Sequence, residues 1–161
     1  MFLLLISCIM VKKKGNLMTD TSSDSSLKAM VVFGKANRTV EGQVTSIFKT
    51  YGVTPTQFSA MDVLYKKGEM KICQLIGSML ATSGNMTVVI KNMERNGWIY
   101  RKTDASDKRA SVVGLTQSGR DLIEQIMPEH RANVQAVFSV LTAEEQEQLI
   151  HLLKKFKHLK P

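Results

Sequence analysis

Residues 98–116 read WIYRKTDASDKRASVVGLT. The ends, "WIYRKT" and "SVVGLT", are rich in β-branched and aromatic residues, and the polar loop "DASDKRA" lies between them. Strand formers on both sides of a run of turn formers predict a hairpin with Asp107, Lys108 and Arg109 displayed at its bend. Its neighbours in the chain decide the fold.

Upstream lie "KICQLIGSM" (71–79) and "TSGNMTVVIKNMERNG" (82–97). Ile72, Leu75, Ile76 and Met79 make the first an amphipathic helix. Met86, Val89, Ile90 and Met93 do the same for the second, which Gly97 terminates. Two short helices joined by a tight turn predict a helix-turn-helix, and a hairpin directly after the second makes it a winged helix.

Farther out, "VTPTQF" (53–58) predicts a helix start: Thr54 as cap, Pro55 in the first helical position, Gln57 closing a capping box, Val53 stapling to Phe58. That helix should run to about Lys67 and stop at Gly68. Before it, Phe33, Asn37, Val40, Val44, Ile47 and Tyr51 form one stripe, predicting a single helix from Leu27 to Tyr51 that ends at Gly52. Asn37 could set dimer register there, or sit at a solvated edge.

After the hairpin, Thr116 should start a helix running towards Val140, with Leu122, Ile126, Val134 and Phe138 apolar and Pro128 kinking it near the middle. A capping box from Thr142 to Glu145 opens a last helix carrying Leu149, Ile150, Leu152, Leu153 and Phe156. The expected fold is therefore mainly α with a small β-hairpin wing. A winged helix-turn-helix, about 53–116, is flanked by N- and C-terminal dimerisation helices, about 27–51 and 117–158. The flanking helices carry more apolar surface than a winged helix needs, which predicts a homodimer.

Composition agrees with one domain, residues 27–161, preceded by a leader, residues 1–26. The 161 residues are 43% apolar, enough for a sizeable core, and the formal net charge of +8 with a pI near 9.6 suggests a polyanionic partner. Cys8 and Cys73 make no disulfide framework, and no Cys/His cluster has zinc-finger spacing. The chain reads as cytoplasmic. Within the leader, "MFLLLISCIMVKKKGNL" (1–17) is too short in its apolar run to span a bilayer, which takes ~20 residues, and lacks signal-peptide flanks. A short membrane anchor is one reading of it. The preferred one is that Lys14 and Gly15 reflect purine-rich codons like a ribosome-binding site, with translation starting at Met18. Without those three lysines the charge is still +5. "TDTSSDSS" (19–26) is polar and aperiodic, which predicts disorder.

The stretch "DKRASVVGLT", with Asp107, Arg109, Val113, Leu115 and Thr116 in register, resembles the wing signature of the MarR (multiple antibiotic resistance regulator) transcription factors. "TSGNMTVVIKNMERNGWIYR" is similar to their recognition helix and first wing strand, and "VTPTQFSAMDVL" to the helix before it. The resemblance covers Leu27 to about Lys160. One departure is Leu80, where many relatives turn on a glycine. The resemblance implies a dimeric, ligand-responsive repressor with an effector crevice for small phenolic or anionic compounds, whose lining the sequence does not place.

The residues themselves suit DNA. Thr82, Ser83, Gly84, Asn85 and Thr87 are small and polar, and Gly84 permits close backbone approach to phosphate at a helix end whose free N–H groups favour anions. Lys91 follows two turns after Gly84. Asn85 and Thr87 should face base edges, with Ser83 and Lys91 nearer phosphates, and Lys71, Gln74 and Arg101 as further phosphate contacts. At the wing, Arg109 can enter a minor groove, Lys108 adds charge, and Asp107 should orient the Arg109 guanidinium. Residues 82–109 hold six basic side chains against three acidic ones. The plainer alternatives are a capped, solvated helix and an ordinary polar turn.

Other candidates have plain readings. His130, His151 and His158 lack metal spacing and should be exposed residues, not metal ligands. Cys73 could be a low-pKa thiol, but a small, partly buried residue is preferred. The 10 methionines read as core filling or an adaptable pocket. No phosphate loop or GxSxG occurs, so no enzyme and no cofactor is expected. The expected partners are double-stranded DNA with a pseudo-palindromic operator and a second copy of the chain. The competing function is a winged-helix protein-interaction or dimerisation module without operator binding.

Overall fold

The computed structural model describes residues 24–79, 86–104 and 106–158. Contacts divide the chain into two units, Met1–Arg38 and Thr39–Pro161. The first helix, α1 (Ser25–Val44), begins earlier than the sequence predicts, because the Asp24 carboxylate accepts the N–H of Ser26 at 2.9 Å and of Leu27 at 3.3 Å. The predicted leader is thus two residues too long. Residues 1–23 of it lie outside the described residues.

The predicted single helix to Tyr51 breaks at Thr45. The Thr45 hydroxyl donates back to the Glu41 carbonyl at 2.8 Å and Ser46 Oγ to the Gln43 carbonyl at 2.7 Å. Such back-bonding competes with the α-helical ladder, and the chain continues as a 3₁₀ turn, Ser46–Tyr51. Gly52 closes that turn at φ 64°, a left-handed conformation that glycine adopts without strain. The tightened turn points Phe48 inward, where it stacks on Phe58 with ring centroids 4.3 Å apart.

Helix α2 (Pro55–Lys67) starts as its sequence dictates: Thr54 Oγ accepts the Gln57 N–H at 3.2 Å and Gln57 Oε1 the Thr54 N–H at 2.8 Å. It buries Phe58, Met61 and Leu64. A two-residue strand, β1 (Met70–Lys71), then leads into α3 (Ile72–Ser78). After it come α4 (Met86–Arg95), β2 (Ile99–Thr103) and β3 (Ser111–Leu115). The predicted hairpin is therefore the larger part of a three-stranded antiparallel sheet of order β1-β3-β2, with Met70 opposite Val113 and Ile99 opposite Leu115. A two-residue strand is too short to show a period, so β1 left no trace in the pattern. The turn at Leu80 lies outside the described residues.

Helix α5 (Gln117–Phe138) is capped by Thr116 and passes through Pro128 as one element. It ends two residues before the predicted Val140, which is 82% exposed. Helix α6 (Ala143–Lys154) carries the predicted capping box, Thr142 with Glu145, and passes into a 3₁₀ turn, Lys155–His158. The core gathers Met61, Leu64, Leu75, Met93, Val113, Ile123 and Ile126, all fully buried. Helices α2 to α5 and strand β3 supply these residues, with Ile99 of β2 buried alongside and Met70 of β1 partly buried against them, so the recognition and wing segments are fastened to one packed body.

Candidate nucleic-acid interface

Helix α4 buries Met86, Ile90 and Met93, as the spacing predicts, and so presents Thr87, Val88, Lys91 and Arg95 to solvent. Thr82, Ser83, Gly84 and Asn85, proposed for base and phosphate contact, lie outside the described residues. Gly97 ends the helix region at φ 73°. Its carbonyl accepts the Thr116 hydroxyl at 2.6 Å, and the Trp98 carbonyl accepts the Thr116 N–H at 3.1 Å. The base of the wing is thereby tied to the start of α5. Gly119 completes the junction: a Cβ there would run into the Trp98 carbonyl oxygen.

The wing bend is built by two aspartates. Asp104 Oδ1 accepts the N–H of Ser106 at 2.9 Å and of Asp107 at 2.8 Å, together with the Ser106 hydroxyl. The Ser106 hydroxyl and the Asp107 N–H hold the Asp104 carboxyl down at about 2, with Lys71 assisting from 3.5 Å. Asp107 Oδ1 accepts the Arg109 N–H at 3.0 Å, and its carbonyl accepts the Ala110 N–H at 2.9 Å. Asp107 therefore grips the backbone of Arg109, where the sequence reading assigned it the guanidinium. A carboxylate two residues before an amide closes an Asx turn more readily than it meets the far end of its neighbour's long side chain. Among the described residues the guanidinium of Arg109 has no ion-pair partner, and Asp107, Lys108 and Arg109 are all exposed.

The three further phosphate candidates differ. Arg101 is exposed, with one guanidinium N–H donated to Ser111 Oγ at 3.0 Å. Lys71 is half-buried and paired with Asp104, and Gln74 Oε1 caps α3 by accepting the Lys71 N–H at 3.1 Å. Both are thus partly engaged in structure. Asp104 and Glu69 were missed by the sequence reading. The first had a signal, an Asp two residues before a Ser in a turn; the second acts across the sheet and had none.

Two other expectations are overturned. Cys73 is exposed, because α3 turns Leu75 into the core and leaves positions 73 and 74 outside. His130 is half-buried, its ring 5.2 Å from that of Phe48 and 4.7 Å from that of Phe58. The break at Thr45 turns Phe48 inward against it. Burial lowers the His130 pKa, with Asp62 opposing. His151 is exposed as expected, and the side chain of His158 lies outside the described residues. Among the described residues no three His, Cys, Asp or Glu side chains gather as a metal group, and no helix is long and apolar enough to cross a membrane.

The MarR family profile matches residues 53–111, the segment from the α2 cap to the wing. The chain is 39% identical over 124 residues, 77% of its length and 80% of the relative's, to the HTH-type transcriptional regulator YkoM of Bacillus subtilis. To MhqR, another such regulator of that species, it is 30% identical over 133 residues, 83% of this chain and 92% of the relative. The chain belongs to the MarR family. It is accordingly a winged-helix transcriptional regulator and not an enzyme.

Solved MarR-like folds overlay it well. A MarR-like regulator from Bacillus cereus gives a TM-score of 0.76 at 25% identity, over 83% of this chain and 96% of that one. Escherichia coli MarR in complex with operator DNA gives 0.74 at 23%, covering 83% and 98%. BpsR of Bordetella bronchiseptica, whose DNA binding is regulated by 6-hydroxynicotinic acid, gives 0.67 at 22%, covering 78% and 98%. In MarR terms, α3 and α4 are the helix-turn-helix and β2, β3 and the 104–110 loop are the wing.

Proposed function

We propose that this MarR-family regulator is a cytoplasmic, ligand-responsive repressor that binds a pseudo-palindromic operator as a homodimer. Residues 82–91 enter the major groove, with Asn85 and Thr87 facing base edges and Ser83 and Lys91 nearer phosphates. Arg109 enters the flanking minor groove, with Lys108 on the backbone. The observation that carries this reading is the wing tip. Its bend is fixed by Asp104 and Asp107, and it displays two cations whose side chains reach free solvent.

The domain reading is a single MarR-like domain over residues 27–161, with flanking helices that dimerise. Exposed apolar side chains at Leu27, Met30, Val31, Val32 and Phe33, and separately at Ile150, Leu152, Leu153 and Phe156, support it. The effector class proposed is a small phenolic or anionic compound. 6-Hydroxynicotinic acid, which regulates the DNA binding of BpsR, is a small hydroxylated aromatic carboxylic acid, anionic at neutral pH.

The test is binding of DNA flanking the gene against random duplex by fluorescence anisotropy at several salt concentrations. The expected result is two chains per duplex, two half-sites ~34–36 Å apart, and preference for the flanking DNA that persists as salt weakens both. Equal affinity for both duplexes at every salt concentration would leave only a winged-helix interaction module.

A further inference from the structure

The wing sheet carries a polar clasp that the DNA contacts do not explain. The register that sets Met70 opposite Val113 places Glu69, one residue earlier, beside Gly114, which itself pairs with Tyr100. Glu69, in the bend just before β1, is thus in line with the Gly114–Tyr100 pair of β3 and β2. The central residue has no side chain, and a Cβ there would run into the Tyr100 hydroxyl. The tyrosine ring occupies that space, and its hydroxyl donates to Glu69 Oε2 at 2.6 Å. Lys102, two residues along the same strand, brings its ammonium within 2.7 Å of the same carboxylate and 5.9 Å from the Tyr100 ring centre.

We infer that Glu69 is a positioning residue for the wing, fixing outer strand β2 against the helix-turn-helix so that the tip meets DNA in one orientation. The inference rests on the reading that the wing contacts DNA. Strand β2 lies at the sheet edge, and among the described residues the one strand it pairs with is β3. The Glu69 clasp ties it directly to the segment that enters α3, and the Lys71–Asp104 ion pair adds a second tie just past the end of β2. An exposed ion pair of this kind contributes little to global stability. Its consequence is orientation: a wing free to swing must be ordered at the moment of binding. The clasp also accounts for a carboxylate on a cationic surface, where an unpaired one would repel phosphate. With Lys102 and the Tyr100 hydroxyl upon it, the Glu69 pKa is lowered and that of Tyr100 is raised.

The sign of the effect separates this role from plain electrostatics. Removing a negative charge should strengthen DNA binding, whereas loosening the wing should weaken it. The experiment measures flanking-DNA affinity for Glu69→Ala, Glu69→Gln, Tyr100→Phe, Arg109→Ala and the Glu69→Ala/Arg109→Ala pair. It adds thermal midpoints and amide hydrogen exchange of Ile99–Thr103 in the free protein. Glu69→Ala should weaken binding about 3- to 10-fold, the range of one or two modest polar interactions, with the midpoint unchanged and faster exchange in β2. Tyr100→Phe should lose part of the same affinity. Glu69→Gln, which keeps an acceptor for the Tyr100 hydroxyl, should recover part of it. In the Arg109→Ala background the Glu69 effect should fall below about 2-fold, because a wing without its arginine has less to position. Unchanged or tighter binding by Glu69→Ala, while Arg109→Ala weakens it, would overturn the inference and leave the wing reading standing. An equal loss in both backgrounds would overturn it too. If Arg109→Ala has no effect, the wing reading fails and this inference with it.

Discussion

Asp107 Oδ1 lies 3.0 Å from the backbone nitrogen of Arg109, so the aspartate shapes the bend from which the arginine projects and leaves the guanidinium free. The ordering sits in the backbone, and DNA is left to order the side chain.

Arg109→Ala should therefore weaken operator binding by roughly 1–3 kcal/mol with fold and dimer intact. Asp107→Ala should do part of the same damage by loosening the bend, and the double variant should cost less than the sum. Lys108→Ala should weaken operator and random DNA alike and lower the salt slope by about one. A salt-series titration of these variants checks all three. Undiminished affinity in Arg109→Ala would reduce the wing to a polar turn.

Gly119→Ala should destabilise the fold by at least about 2 kcal/mol, towards the upper end of overpacking costs, because the added methyl runs into the backbone carbonyl of Trp98, which cannot swing aside as the nearby Leu115 side chain can. Gly77→Ala is the control: a Cβ there has nothing within 4 Å. Chemical denaturation of both proteins gives the comparison, and equal midpoints would contradict the packed junction.

What was legible in the sequence was local. Thr54 with Gln57, Thr142 with Glu145 and Gly97 announce helix ends through residues a few positions apart, and α4 shows its buried face as a 3.6-residue period. The hairpin, too, declared itself between two strand-rich runs. What was not legible depends on partners distant in the chain. His130 looks like any polar helix residue until Phe48 and Phe58 are folded against it. Glu69 reads as a loop glutamate until strand register sets it beside Gly114 and Tyr100. The break at Thr45 was hidden for a different reason: the apolar stripe continues through it, and only the two hydroxyls that bond back to carbonyls mark the change. Of the candidate site, the wing residues and Lys91 were nominated by type and spacing and lie exposed, while the two aspartates' work on the bend needed the geometry.

Stability should fall as pH drops below about 6.5. The folded His130 has a lowered pKa because burial disfavours the cation, so the unfolded chain binds its proton first. The sign follows: the full contribution is present above the unfolded value of 6.5, and it is lost as pH falls from there through the folded pKa. Asp62 reduces the effect by favouring the cation, and Lys66 adds to it. Among the described residues His130 Nδ1 meets no well-aligned hydrogen-bond partner, the Val44 backbone giving the imidazole only partial support, so His130→Phe should be tolerated against the two phenylalanine rings. Thermal midpoints of both proteins from pH 8 to 5 test this; a parallel decline in the variant would assign the pH dependence to other groups.

The exposed side chains of the C-terminal segment bear on assembly. Leu152 is 53% exposed and Phe156 64%, one helical turn apart, with Ile150 and Leu153 beside them. Water contact with four large apolar groups is unfavourable by about 25 cal/mol per Å² of surface that a partner would cover. If a second copy covers this surface, Leu152→Asp and Phe156→Asp place a charge in an apolar interface and should each shift the protein towards monomer in sedimentation experiments. Helix α6 should persist in both, since its cap at Thr142 and Glu145 is untouched. Operator binding should then become steeply concentration-dependent, because two half-sites read by separate monomers lose the advantage of linkage. Variants that remain dimers with unchanged operator affinity would show that this surface lies outside the dimer interface and would leave the apolar face of α1 to carry it.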